Sequence, residues 1–278
     1  MGEQTQAQNT NPILVIGGTG KTGRRIVERL TERGVPVRVG SRSTTPTFDW
    51  NDESGWAAAL EGVRAAYIAY QPDLAFPGAP EAITRVCELA KAAGVEKLVL
   101  LSGRGEEAAE VCERIVQAAG TKWTIVRCSW FNQNFSENFL LESVRAGEIA
   151  LPAGDAVEPF VDADDIADVA VAALTEDGHD GQIYELTGPR LLSFHDAAAE
   201  ISKATGQDVA YIPLTAEQYA AALREHGMPE EFVELFTQIL DGRNAHLTDG
   251  VRRALGREPK DFADYARDAA ASGVWSVD

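Results

Sequence analysis

The feature that most constrains this chain is the aliphatic run Ile13-Leu14-Val15-Ile16, followed at once by Gly17-Gly18-Thr19-Gly20-Lys21-Thr22-Gly23. A short, uninterrupted aliphatic run bounded by glycine predicts a strand covered on both faces, as in a parallel sheet. Ile26, Val27 and Leu30 then recur at helical spacing, Gly34 stops the helix, and residues 35–39 read as a second strand. Strand, helix and strand within about 30 residues make a right-handed crossover unit.

The rhythm continues. Residues 63–70 read as a strand, 81–93 as a helix stopped by Gly94, and 96–101 as a buried strand. Residues 106–119 read as a helix stopped by Gly120, and 123–127 as a further strand. Strands alternating with helices of this length predict an α/β fold: a Rossmann-type, doubly wound parallel sheet. Beyond residue 130 the alternation breaks. Residues 164–174 predict a helix, 182–186 a strand, and the chain from Ser193 onward is mostly helical. The expected organisation is a disordered polar tail (1–11), a nucleotide-binding domain (12–160), and a segment (161–278) that returns to the sheet and ends in a small, mostly helical C-terminal substrate lobe. All of it is expected to form one integrated unit.

Glycines at positions 17, 20 and 23 follow the spacing G-x-x-G-x-x-G, a relative of the dinucleotide fingerprint. One glycine permits a tight turn off the strand, another lets pyrophosphate approach the backbone, and the third lets the helix pack closely. The helix then offers free N–H groups and its positive dipole end to the phosphates. A nucleoside triphosphate loop is the rival, because Gly20-Lys21-Thr22 could end one. Its first glycine would have to stand at Val15, inside the strand, so the spacing fails. An NAD site places an acid at the end of the second strand. Here that place holds Ser41-Arg42-Ser43, and no acid comes until Asp49. Arginine suits planar, charge-assisted pairing with a 2′-phosphate, with the serines as extra donors, so the expected cofactor is NADP(H) in preference to NAD(H).

Ligands of an open α/β sheet sit at the carboxyl ends of its strands. Those ends carry Tyr70, then Ser102-Gly103-Arg104, then Ser129-Trp130-Phe131. Trp130 and Phe131 have the shape to flank a nicotinamide ring. Arg104, Glu106 and Glu137 have the charge to orient a polar or cationic substrate, although Glu106 also opens a helix, where the dipole favours an acid.

Charge and composition remove other classes. Asp and Glu number 43 against 25 Lys and Arg, a formal charge of −18. Duplex nucleic acid demands a basic footprint, and an anionic membrane surface would repel this chain, so neither is expected as a partner. Cys87, Cys112 and Cys128 match no zinc spacing and lie in apolar patterns, which predicts buried reduced thiols and a cytoplasmic location. No signal peptide is evident. Asp162, Asp164, Asp165 and Asp168 lack the calcium-loop pattern and stand where aspartates cap a helix, and the four histidines show no zinc spacing, so no metal is expected. Ser102 is not in a G-x-S-x-G elbow, because Leu100 takes the first glycine place.

The GGTGKTGRR loop, the VLLSG strand end, RCSWFNQNF and EPFVDADDIADVAVAAL, in that order, resemble the NmrA-like branch of the atypical short-chain dehydrogenases. The likeness runs from Ile13 to about Tyr265 and is greatest to bacterial relatives of the ergot-alkaloid reductases, the agroclavine and festuclavine dehydrogenase type. The resemblance implies that Gly17, Thr19, Gly20, Lys21, Thr22 and Gly23 hold the pyrophosphate and Arg42 the 2′-phosphate, with Ser41, Ser43, Tyr70, Ser102 and Gly103 beside the cofactor. It puts Ser102 where ordinary short-chain dehydrogenases keep a catalytic serine. It puts Trp130, Phe131, Asn134 and Phe135 along nicotinamide and substrate. The chain departs from ordinary members in one respect: none of its six tyrosines has Lys four residues later. Iminium ions and quinones make less demand on such a proton donor than simple carbonyls do. Two functions are therefore expected. One is an NADPH-dependent oxidoreductase passing hydride to a small organic acceptor (imine or iminium, quinone, or activated carbonyl). The other is a non-catalytic NADP(H)-binding redox sensor that acts through a protein partner. The residues leave self-association as a homodimer open.

Overall fold

A computed structural model describes residues 10–137, 139–225 and 231–276. Most of the tail expected to be disordered lies outside the described residues. β1 (Ile13–Ile16), β2 (Val37–Gly40), β3 (Ala65–Ile68), β4 (Lys97–Gly103) and β5 (Lys122–Cys128) alternate with α1 (Lys21–Glu32), α2 (Trp56–Leu60), α3 (Ala79–Ala92) and α4 (Glu107–Ala118). Next come α5 (Leu141–Arg145), β6 (Glu148–Leu151), β7 (Val157–Glu158), α6 (Ala163–Thr175) and β8 (Gln182–Leu186). The rest comprises β9 (Leu192–Ser193), α7 (Phe194–Thr205), β10 (Ala210–Pro213), α8 (Ala216–Glu225), α9 (Glu231–Ile239), α10 (Gly250–Leu255) and α11 (Phe262–Ala271).

Six strands form one parallel sheet in the order β2-β1-β3-β4-β5-β8. The chain order reverses at β1, so the crevice between the ends of β1 and β3 is the switch point at which such sheets bind ligands. β1 is buried on both sides, and its alternate residues serve two cores. Leu14 and Ile16 pack with Ile83, Val86 and Val116 of α3 and α4. Ile13 and Val15 pack with Ile26 and Leu30 of α1 and Ile166 and Val169 of α6. Burial on both faces is why these strands read as continuous aliphatic runs.

A third core holds the lobe. Trp130, Phe135, Ile149 and Phe160 meet Phe194, Tyr211, Phe236, Phe262 and Trp275. The lobe therefore draws on residues 130–160 as well as on the chain after β8, earlier than the boundary expected at residue 160. It is also less purely helical than expected. β6 pairs in parallel with β10, and β7 pairs antiparallel with β9. Strands this short carry too little alternation to stand out in sequence. Among the described residues, no helix is long and apolar enough to cross a membrane. All three cysteines are buried free thiols.

Candidate functional site

Gly17 turns the chain off β1 in the left-handed region, at φ 76°. A Cβ on Gly23 would lie 2.1 Å from the Gly17 carbonyl oxygen, so only glycine lets α1 start this close to the strand. Gly20 caps α1 without a side-chain hydrogen bond, and the first turn carries no acid. Among the described residues, no acceptor faces the backbone N–H of Lys21 or Thr22. A glycine cradle that any Cβ would fill, with open N–H donors at a helix start, fits a dinucleotide pyrophosphate. The Thr22 side chain is buried, and its hydroxyl accepts from the Tyr67 hydroxyl at 2.9 Å. Lys21 Nζ donates to Asn134 Oδ1 at 2.6 Å and stands 5.9 Å from the centre of the Phe131 ring. Burial lowers its pKa to about 8, against the opposing pull of Glu137.

At the end of β2 the two serines build a turn. The Ser41 and Ser43 hydroxyls lie 3.1 Å apart, and Phe48 N–H donates to the Ser41 carbonyl at 2.9 Å. Arg42, between them, is exposed and makes no hydrogen bond or ion pair with the described residues.

A cleft of about 270 Å³ opens over the carboxyl ends of β3, β4 and β5. Lys21, Tyr70, Ser102, Gly103, Arg104, Trp130, Phe131 and Asn134 all line it. Their roles are set by their partners. Ser102 Oγ donates to Glu113 Oε1 at 2.6 Å, and Glu113 is held by Arg127. The Ser102 hydroxyl is thus committed away from the cleft. Arg104 is buried, donates to Ser129 Oγ at 2.8 Å and meets His246 Nε2 at 2.7 Å. Tyr70 packs edge-on against Trp50 at 4.8 Å, and burial raises its pKa.

Two expected substrate contacts are corrected. Phe135 is fully buried against Phe160, Phe194 and Phe262, because the turn of residues 132–135 swings it into the lobe core. Glu137 bridges Arg24 at 2.5 Å and Arg25 at 2.7 Å, drawn to the basic face of α1 and away from the cleft. The Asp162 to Asp168 cluster has a structural use. Asp162 caps α6 by accepting from Asp164 N–H at 2.8 Å, while Asp164 and Asp168 pair with Arg25 and Arg29.

Sequence reasoning missed three groups. Asp73 lies in the loop after β3 and Glu158 on β7; both line the cleft, and nothing in their local pattern announces it. Phe232, Leu235, Phe236 and Ile239 of α9 form a wall, and their amphipathic spacing is what simple packing of a helix also produces. Three buried polar atoms at this cleft, Glu106 Oε2, Glu158 Oε1 and Trp130 Nε1, have no partner among the described residues. Buried polar groups are normally paired, so these three atoms are open to a partner such as water or a polar ligand. Burial raises the Glu158 pKa to about 8, with Arg104 opposing and Asp241 adding to the shift.

A switch-point glycine cradle facing an aromatic cleft defines an oxidoreductase-type dinucleotide-binding protein. Residues 17–177 match the family model described as NAD(P)H-binding. The chain belongs to that family, in its NmrA-like branch. It is 33% identical to agroclavine dehydrogenase of Claviceps fusiformis, over 95% of this chain and 98% of that protein. It is 32% identical to the NAD(P)H azoreductase of Xenophilus azovorans, over 94% and 98%. Its fold matches the NADPH complex of quinone oxidoreductase QOR2 from Escherichia coli with a TM-score of 0.77 at 22% identity, covering 92% of this chain and 99% of that one. Membership brings an NAD(P)H-dependent oxidoreductase type and relatives that are named reductases and dehydrogenases.

Proposed function

We propose that this protein reduces a small organic acceptor (an imine or iminium, a quinone, or an activated carbonyl) and uses NADPH in preference to NADH. The observation that carries the cofactor choice is Arg42, exposed and unengaged by the described residues at the end of β2, where an NAD site keeps an acid. Gly17, Thr19, Gly20, Gly23 and the amides of Lys21 and Thr22 hold the pyrophosphate. Arg42, with Ser41 and Ser43, holds the 2′-phosphate. Tyr70, Ser102 and Gly103 border the nicotinamide. When bound, the reduced dinucleotide supplies the hydride.

The acceptor lies between Trp130, Phe131 and the apolar wall of α9, with Asn134 and Arg104 at the polar edge. The wall excludes water and so favours transfer to the acceptor over side reactions. Three buried thiols suit a reducing, cytoplasmic setting. The names of the relatives, a dehydrogenase and an azoreductase, support the reductase reading. The test is single turnover. NADPH binding is followed by fluorescence, and its oxidation by absorbance, against quinones, imines, iminium ions and activated carbonyls. Saturable oxidation is expected. Tight binding without turnover across the panel would favour the regulatory role through a protein partner, and failure to bind either dinucleotide would overturn the reading.

A further inference from the structure

Hydride transfer to a carbonyl or neutral imine leaves a heteroatom that must gain a proton. The usual tyrosine–lysine donor is missing, and the structure narrows the replacements. The hydroxyls of Tyr67, Tyr184 and Tyr265 are engaged by Thr22, His179 and Ser136. Tyr70 reaches the cleft, but its pKa is shifted upward, which makes it a poorer acid. Ser102 is committed to Glu113.

Glu106 is placed differently. It stands at the N-cap position of α4 yet makes no capping hydrogen bond. Its side chain folds back over the end of β4. A Cβ on Gly103 would lie 2.1 Å from one carboxyl oxygen and 2.6 Å from the other, so the carboxyl rests on the glycine's bare Cα. Glu106 is 7% exposed, lines the cleft, and its Oε2 is buried without a partner. Asp73 lines the same cleft, and its charge acts on the Glu106 carboxyl. Two buried carboxyl groups that feel each other's charge resist ionising together.

We propose that Glu106, supported by Asp73, is the general acid that protonates the acceptor's heteroatom as hydride reaches its carbon. The inference rests on the reductase reading. The acceptor gains a hydride with its electron pair at carbon, taken from the reduced dinucleotide, which is oxidised. The π pair of the C=O or C=N bond moves to oxygen or nitrogen, and that atom takes the proton from Glu106. Asp73 is a partly exposed residue at the cleft, so the proton is replaced from solvent after turnover.

The surrounding charges keep the pair protonated. Burial first, then Asp73 from the loop after β3 and Glu113 from α4, push the Glu106 pKa well above the carboxylate range. Glu158 of β7 adds no cation. The cations at the cleft are committed elsewhere: Arg104 to Ser129 and His246, and Lys21 to Asn134.

The test uses the full chain in two ways. Infrared difference spectra of the protein without added dinucleotide, wild type minus Glu106→Gln, should contain a carboxylic-acid carbonyl band at neutral pH; its absence overturns the proposal whatever the acceptor. Turnover is then compared for acceptors that need a proton, activated carbonyls, and for N-alkyl iminium ions, which need none. Glu106→Gln should slow carbonyl reduction by roughly 100-fold or more and abolish its fall at alkaline pH. Iminium reduction and the NADPH Kd should stay within about twofold of wild type, the scatter expected of a substitution away from the phosphates. Asp73→Asn, which removes a neighbouring negative charge, should move the alkaline limb to lower pH, and Glu106→Asp should recover part of the rate. Equal slowing of both acceptor classes, or an unmoved limb, overturns the general-acid role while leaving the reductase reading intact. No turnover of either class by the wild type overturns the inference, and no turnover of quinones as well overturns the reductase reading.

Discussion

Lys21 Nζ donates to Asn134 Oδ1 at 2.6 Å across 113 residues of chain, tying the first turn of α1 to the turn after β5. The bond joins the phosphate end of the proposed site to its acceptor end, and it sets the ammonium in a largely buried place.

That burial has a pH consequence. With a pKa of about 8, Lys21 is charged below that pH and neutral above it. Affinity for an anionic dinucleotide is expected to be flat from pH 6.5 to 7.5. It should then fall by up to about tenfold per pH unit above 8, as one proton must be taken up on binding. Fluorescence titration across this range measures it. Lys21→Met should bind weakly at every pH and show no slope; a slope that survives the substitution would mean another group is responsible.

Arg42→Ala should weaken NADPH binding by roughly 10- to 100-fold, the worth of a charge-assisted pair. NADH binding should change by less than about twofold, since an exposed side chain with no described partner contributes little else. Equal losses for both dinucleotides would remove the 2′-phosphate assignment.

Gly23→Ala inserts a methyl group 2.1 Å from the Gly17 carbonyl oxygen. The contact is with backbone, which cannot swing aside. A loss of about 1–3 kcal/mol is expected from overpacking, read as a lower Tm, together with loss of dinucleotide binding. Gly34→Ala is the control, because a Cβ there meets nothing within 4 Å, although its φ of 68° adds modest strain. It should leave binding unchanged.

Glu158 couples stability to pH. Its carboxyl ionises near 4.3 in the unfolded chain and at about 8 in the folded one. The folded state therefore binds the extra proton. The stability that proton brings is complete below about pH 4.3 and is lost as pH rises through 8. Glu158→Gln is neutral throughout and escapes the loss. Its stability should equal wild type near pH 4 and exceed it at pH 9 by up to about 5 kcal/mol, read as a higher Tm. If Glu158 serves the acceptor, the same substitution should raise the acceptor KM; stabilisation with an unchanged KM would separate the residue from binding.

Much of the site was legible because it is built from local signals. The loop of residues 17–23 follows from glycine spacing between a buried strand and an amphipathic helix. Tyr70, Ser102, Arg104 and Trp130 could be placed because strand ends converge by topology. Phe135 and Glu137 were misplaced for an equally physical reason. Both stand within a few residues of Asn134, but a single turn points one into the lobe core and the other at Arg24 and Arg25. Position along the chain locates a backbone and not a side-chain direction.

Taken alone, the amino-acid sequence determined the alternating α/β architecture, the dinucleotide loop and the basic residue at the end of β2, because periodicity and glycine conformation are properties of neighbouring residues. Tertiary structure decided the rest: that β6 finds β10, that α9 walls the cleft, and that Asp73 and Glu106 share it, with Glu106 over Gly103. These depend on groups brought together from separate loops. A carboxyl group's proton is governed by the burial and charges around it in space, which no local pattern encodes.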